Sequence, residues 1–158
     1  MAVAHEPTSI VEESIAAGEP AAVPTLGGLI DGLAATVAQY RAGLGLEVIG
    51  GFAGHDGFDG AMLALPGADW HLEFTVCTSK PVTPTPTAED LLVIYVENPA
   101  EWEARCAALL AARFTEVASH NPYWSRLGRT FADRDGYRVV VQRAAWRPSN
   151  SGSGEKLT

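Results

Sequence analysis

His71 and Glu73 stand two residues apart in Trp70-His71-Leu72-Glu73-Phe74-Thr75, and their spacing is the most chemically suggestive in the chain. Polar and apolar residues alternate there, which predicts a strand. A period of two puts His71, Glu73 and Thr75 on one face and Leu72 and Phe74 on the other. An imidazole titrates near neutral pH and can pass a proton, and a carboxylate beside it can orient it or act as a base. A second strand, Tyr137 to Ala144, puts Arg138, Val140 and Gln142 on one face. A third, Leu91 to Val96, presents Leu91, Val93 and Tyr95. Asn121-Pro122-Tyr123-Trp124 adds two aromatics on a loop, suited to stacking on a ligand or to packing.

The expected site set follows from these faces. His71 and Glu73 are the catalytic candidates. Thr75, Tyr95, Tyr123, Trp124, Arg138 and Gln142 are candidate ligand contacts. Apolar groups with a few converging polar ones are what a small organic molecule needs. Glu73 and Arg138 are expected at matching positions of the two strands, where they would form a charged pair.

Other motifs read more plainly. His55-Asp56-Gly57-Phe58-Asp59-Gly60 lacks the further carboxylates and terminal Glu of a calcium loop, so it predicts a glycine-rich hairpin connection. Gly43-Leu44-Gly45 is a helix stop, since neither Lys-Ser/Thr nor a new helix follows. Cys77 and Cys106 give neither a disulfide framework nor a zinc pattern.

The elements that must position these residues occur twice. The first pass predicts a helix over Leu33 to Ala42, with Asp31 near its start and Gly43 just past its end. Strands follow at Leu46 to Ile49, Ala61 to Leu65 and Trp70 to Cys77. The second pass opens with the 91–96 strand. Asn98-Pro99-Ala100-Glu101 then places cap, first-turn proline and acidic residue where a helix start favours them. That helix runs to about Ala112 and is followed by a strand at Phe114 to Ala118, a loop at His120 to Leu127, and strands at Arg129 to Phe131 and Tyr137 to Ala144. The opening strand of the first pass is poorly written, because Pro24, Gly27 and Gly28 fall within it.

The expected division is a flexible tail at 1–21, a first unit at 22–78, a proline-rich linker at 79–88, a second unit at 89–146 and a disordered tail at 147–158. Ser9 and Glu12 could cap a short helix within the first tail.

Bulk composition narrows the partners. Over 158 residues, 47% are hydrophobic and 19% charged, with a net charge of −8. That balance, with arginines scattered from Arg41 to Arg147, excludes the basic footprint of a nucleic-acid binder. No apolar run approaches the roughly 18 residues that span a bilayer. No Lys or Arg precedes Arg41, so a signal peptide's charged start is missing. A reduced, cytoplasmic protein is expected.

Two stretches carry a family resemblance. Tyr40-Arg41-Ala42-Gly43-Leu44-Gly45-Leu46-Glu47-Val48 resembles the helix-to-strand passage of the vicinal oxygen chelate superfamily, which includes glyoxalases, bleomycin-resistance proteins and extradiol dioxygenases. Phe131-Ala132-Asp133-Arg134-Asp135-Gly136-Tyr137 resembles the turn before that superfamily's last strand. The likeness covers about residues 22–146. His55 to Gly60, Trp70 to Thr75 and Glu89 to Leu92 are similar to an uncharacterised, glyoxalase-like branch. The resemblance implies an α+β fold of two paired βαβββ modules, forming a curled mixed sheet around a cavity.

It also implies a divalent metal held by the first and last strands of each module, acting as a Lewis acid on vicinal oxygens. Of these four positions, Glu73 alone carries a ligand. The others fall at Val140, Leu91 and near Pro24, and a catalytic ion normally needs three or more protein ligands. The implied function is therefore small-molecule binding without the full metal site and with no cofactor. The alternative is a metal-dependent glyoxalase-like lyase, isomerase or dioxygenase. A homodimer is a further implication of the resemblance.

Overall fold

A computed structural model describes residues 25–30 and 32–147. The expected first tail with its Ser9–Glu12 cap, Asp31, and all but Arg147 of the last tail lie outside the described residues. The fold is α+β, built on two four-stranded mixed sheets.

The first half contains β1 (Thr25–Leu29), α1 (Leu33–Leu44), β2 (Glu47–His55), β3 (Phe58–Ala64) and β4 (His71–Cys77). Its sheet has the order β1-β4-β3-β2, with β1 parallel to β4 and the other pairs antiparallel. The second half contains β5 (Leu91–Tyr95), α2 (Pro99–Ala111), β6 (Thr115–Val117), α3 (Tyr123–Leu127), β7 (Gly128–Ala132) and β8 (Arg138–Gln142). Its order, β5-β8-β7-β6, repeats the first with the same parallel edge pair.

Each helix covers one face of its own sheet, and the two covered faces share one core. Leu63, Leu72 and Phe74 join Tyr40 and Leu44 from the first half, and Phe131, Val139 and Val141 join Cys106 and Leu109 from the second. Tyr40 lies at the centre, its ring 4.6 Å from that of Phe74 and 5.3 Å from that of Phe114. Burying one such side chain contributes about 2 kcal/mol.

Several expectations are corrected. Gly43 is not past the end of α1; it is buried inside it, because a Cβ there would lie 2.9 Å from the Phe114 ring and 3.1 Å from Leu109. The helix stops instead at Gly45, whose φ of 69° is the left-handed cap that glycine adopts without penalty. The 55–60 stretch does form the expected hairpin, but its turn is confined to two residues and the rest is strand. β2 runs through Gly50 and Gly51 to His55, with two register irregularities, and meets β3 at an Asp56-Gly57 turn. Its glycines are tolerated because β2 is an edge strand and its irregularities absorb the twist. The expected 120–127 loop contains the short helix α3.

Asn98 caps α2 as the sequence leads one to expect, its side chain accepting from Ala100 N at 2.9 Å and Glu101 N at 3.1 Å. Such a cap contributes about 1 kcal/mol.

The two halves are also tied by polar contacts. Asp133, at the turn between β7 and β8, is only 7% exposed. It accepts from Tyr40 Oη at 3.0 Å and from the backbone N–H groups of Asp135 and Tyr137 at 2.8 and 2.9 Å. Gln39 receives the Arg134 N–H and donates to the Arg113 carbonyl, and Arg105 donates to the Leu44 carbonyl at 2.7 Å. Burial holds the Asp133 carboxyl above its ordinary range despite these donors, and it raises the Tyr40 phenol as well.

Candidate functional site

Strand register fixes what stands beside each candidate residue. Glu73 is flanked by Gly27 on β1 and Met62 on β3, and Met62 is in turn opposite Gly50 on β2. Leu72 and Phe74 are in the core, so His71, Glu73 and Thr75 occupy the far face of the sheet, away from α1. All three are half-buried. Thr75 lies in the next row with Gly60 and Phe52. The Phe52 ring lies over that row: a Cβ on Gly60 would meet the ring at 2.4 Å.

Glu73 makes no hydrogen bond or ion pair within the described chain. No Lys or Arg stands on any of the four strands of this sheet. Met62 and Phe52 were absent from the expected set. Met62 was legible from the alternation of its strand, whereas Phe52 sits in a stretch whose glycines read as loop.

In the second half, Arg138, Val140 and Gln142 lie beside Leu91, Val93 and Tyr95, one to one. Arg138 is therefore the register equivalent of His71, and Val140 that of Glu73, since both parallel pairs begin at those first residues. The expected matching of Glu73 with Arg138 is off by one row. The Arg138 guanidinium donates to the Ala88 carbonyl at 3.3 Å and to the Ala118 carbonyl at 3.5 Å.

Residues 118–127 lie across this far face. Ser119 and Thr130 share a hydroxyl hydrogen bond of 2.6 Å, and Arg143 N donates to the Leu127 carbonyl at 2.9 Å. A Cβ on Gly128, the residue that ends α3, would press on Gln142 Oε1 and on the Trp124 carbonyl, so the end of α3 packs against Gln142. Thr130, Val140 and Gln142 are 2%, 0% and 2% exposed, and Gln142 Oε1 has no partner. Tyr123 is exposed and Trp124 half-buried, their rings edge to face at 4.9 Å. Tyr95 is half-buried on β5. The structure thus groups His71, Glu73 and Thr75 on one sheet, and Tyr95, Arg138 and Gln142 with the Tyr123–Trp124 helix on the other.

The family's metal set was tested against these neighbours. Among the described residues, no three His, Cys, Asp or Glu side chains converge. Beside Glu73 stand Gly27 and Met62, and beside Val140 stands Val93, none of them a ligand for a hard or borderline ion. The described donor set does not fit the group. A separate depression of about 260 Å³ lies between α1 and α2, lined by Gly43, Gly45, Arg105 and Ala108 among others, on the helix side of the sheets. No described helix is long and apolar enough to cross a membrane.

Comparison with known proteins follows the same division into halves. A model of the YycE-like N-terminal domain matches residues 30–75, and one of the YycE-like C-terminal domain matches residues 89–143. The uncharacterized protein YycE of Bacillus subtilis (strain 168) is 46% identical over 105 residues, which cover 66% of this chain and 76% of that protein. A crystal structure of a YycE protein from Bacillus subtilis superposes with a TM-score of 0.74 and 38% identity, covering 80% of this chain and 92% of that one. The trypanothione-dependent glyoxalase I of Leishmania major matches with a TM-score of 0.60 and 16% identity, over 78% of this chain and 86% of its own. An antibiotic-binding protein, TnmS3, from Streptomyces sp. CB03234 matches with a TM-score of 0.54 and 18% identity, over 78% of this chain and 95% of its own. The last two share the fold. By its identity to YycE and the match of both domain models in order, the chain belongs to the YycE-like family, within the glyoxalase and bleomycin-resistance fold of the vicinal oxygen chelate superfamily.

Proposed function

We propose that this protein binds a small organic molecule against the far faces of its sheets, without the full family metal site. The observation that carries this reading is the open row around Glu73. A half-buried carboxylate stands among Met62, Thr75 and the Phe52 ring, which are an apolar surface with a few polar groups. His71 and Glu73 are the residues for any proton transfer, and Thr75, Tyr95, Tyr123, Trp124, Arg138 and Gln142 are the further ligand contacts. TnmS3 is an antibiotic-binding protein on the same fold, which supports binding as a sufficient role.

The paired-module cavity belongs to the same reading. The halves are joined through α1, α2 and the β7–β8 turn, and among the described residues no strand pairing links the two sheets. A second copy, as a homodimer, would set the Glu73 face of one chain against the Arg138 face of the other. A cytoplasmic location completes the proposal, supported by two cysteines that are both free and buried.

The competing reading is a metal-dependent lyase, isomerase or dioxygenase, favoured by Glu73 standing at a family ligand position. Metal analysis of the purified protein, with Glu73→Ala as control, separates the two. The expected outcome is far less than one metal per chain in both proteins. Stoichiometric metal in the native chain that is lost from Glu73→Ala would establish the enzyme reading instead.

A further inference from the structure

We infer that the Glu73 row selects an organic cation, such as a protonated amine on an apolar skeleton; this rests on the small-molecule reading above. A half-buried carboxylate loses hydration and normally regains it as an ion pair or hydrogen bonds. Glu73 has neither within the described chain, although it is flanked on both sides by neighbouring strands. The other described acidic side chains that are not exposed, Asp59, Asp133 and Asp135, all have partners. Asp133 accepts three hydrogen bonds, Glu116 pairs with Arg129 through two, and Asp90 accepts the Thr87 N–H at 2.6 Å. The missing partner of Glu73 is therefore a property of its place.

That place is shaped for more than an inorganic ion. The row runs Gly50, Met62, Glu73, Gly27, so two of its four positions carry no side chain beyond the backbone. The Met62 sulfur lies towards Gly50, 3.7 Å from where a Cβ on that glycine would stand. A thioether lies on one flank of the carboxylate, and the next row offers the Phe52 ring over Gly60 and the Thr75 hydroxyl. Thioethers and aromatic faces are soft, polarisable surfaces, and an aromatic face also attracts an organic cation. An ammonium group meeting Glu73 can thus lay its apolar part over Met62 and towards Phe52. A divalent ion finds no group of three His, Cys, Asp or Glu side chains to hold it among the described residues. An anionic ligand meets Glu73 with no Lys or Arg on the sheet to offset it.

The test uses the full chain in EDTA and three probes on one skeleton: 1-naphthylmethylamine, 1-naphthylmethanol and 1-naphthoate. Calorimetry should give the amine an affinity about tenfold or more above the alcohol, the size expected of one charge-assisted hydrogen bond, with naphthoate weakest. Glu73→Gln should reduce the amine to the level of the alcohol and leave the alcohol unchanged. Equal binding of amine and alcohol, or an amine affinity unaffected by Glu73→Gln, would overturn the charge selection while leaving the small-molecule reading intact. Failure of all three probes to bind either protein would overturn both. Saturable zinc or manganese binding, lost in Glu73→Gln when EDTA is omitted, would overturn the inference in favour of a metal ligand.

Discussion

The far faces of the two sheets have the same strand order and opposite surroundings. On the first, Phe52, Met62, Glu73 and Thr75 are all partly exposed; on the second, Thr130, Val140 and Gln142 are 2%, 0% and 2% exposed. The strands themselves do not cause this difference. It comes from one connection. β2 and β3 are joined by a tight Asp56-Gly57 turn, whereas β6 and β7 are joined by residues 118–127, which fold back over their own sheet as α3. A duplicated framework can thus leave one face more open and bury part of the other, by changing a loop and leaving the core alone.

Breaking what the two faces share should have the largest effect. Asp133→Ala removes the acceptor for Tyr40 Oη and two backbone N–H groups, at a cost of about 3 kcal/mol. Chemical denaturation should show that loss, and a change below about 1 kcal/mol would mean that the turn does not hold the halves together. Asp133→Asn supplies the pH arm. The native carboxyl is held above its ordinary range, chiefly by burial, so its neutral form is the one the fold favours. The stability it contributes is complete below the usual carboxylate pKa and is lost as pH rises through the raised value. The Asn variant should therefore lose less stability than the native chain as pH rises above the usual carboxylate pKa of about 4.

Opening only the closed face should have a smaller effect. In Gly128→Ala the new Cβ would press on Gln142 Oε1 and on the Trp124 carbonyl. The Gln142 side chain can yield, but the carbonyl is backbone, so α3 must shift, at about 1–3 kcal/mol. Hydrogen exchange should rise in residues 118–127 and stay unchanged across β3 and β4. Equal acceleration in both sheets would mean that α3 supports the whole core and is not a local cover.

The smallest effect sharpens the comparison from the other side. Gln142 Oε1 is buried without a partner, close to the Trp124 carbonyl. Gln142→Met keeps similar length and removes that acceptor, so thermal stability should hold or rise by about 1 kcal/mol. A marked fall would show that the Gln142 amide fastens α3 through its nitrogen.

Much of this was legible because strand alternation reports faces directly. Leu72 and Phe74 against His71, Glu73 and Thr75 is a period-two pattern that only one register satisfies. The helix over 99–111 was legible from Asn98, Pro99 and Glu101, whose cap chemistry is local. Other features are not written locally. Gly43 resembles a helix stop until Phe114 and Leu109 are seen to require its missing Cβ. Gly50, Gly51 and Gly54 resemble loop because an edge strand does not need side chains that pack on both faces. α3 is five residues long with none buried, so it has no amphipathic signature. The Tyr40–Asp133 bond joins residues 93 apart, and no periodicity reports such a contact.

The central claim is that the ligand face of this protein is the open row of the first sheet. Amide chemical-shift mapping of the full chain in EDTA, titrated with 1-naphthylmethylamine, tests it most directly. Saturable shifts should concentrate at Met62, Glu73, Thr75 and their strand neighbours. Shifts gathered instead around Gly43, Gly45 and Arg105, in the depression between the helices, would contradict it.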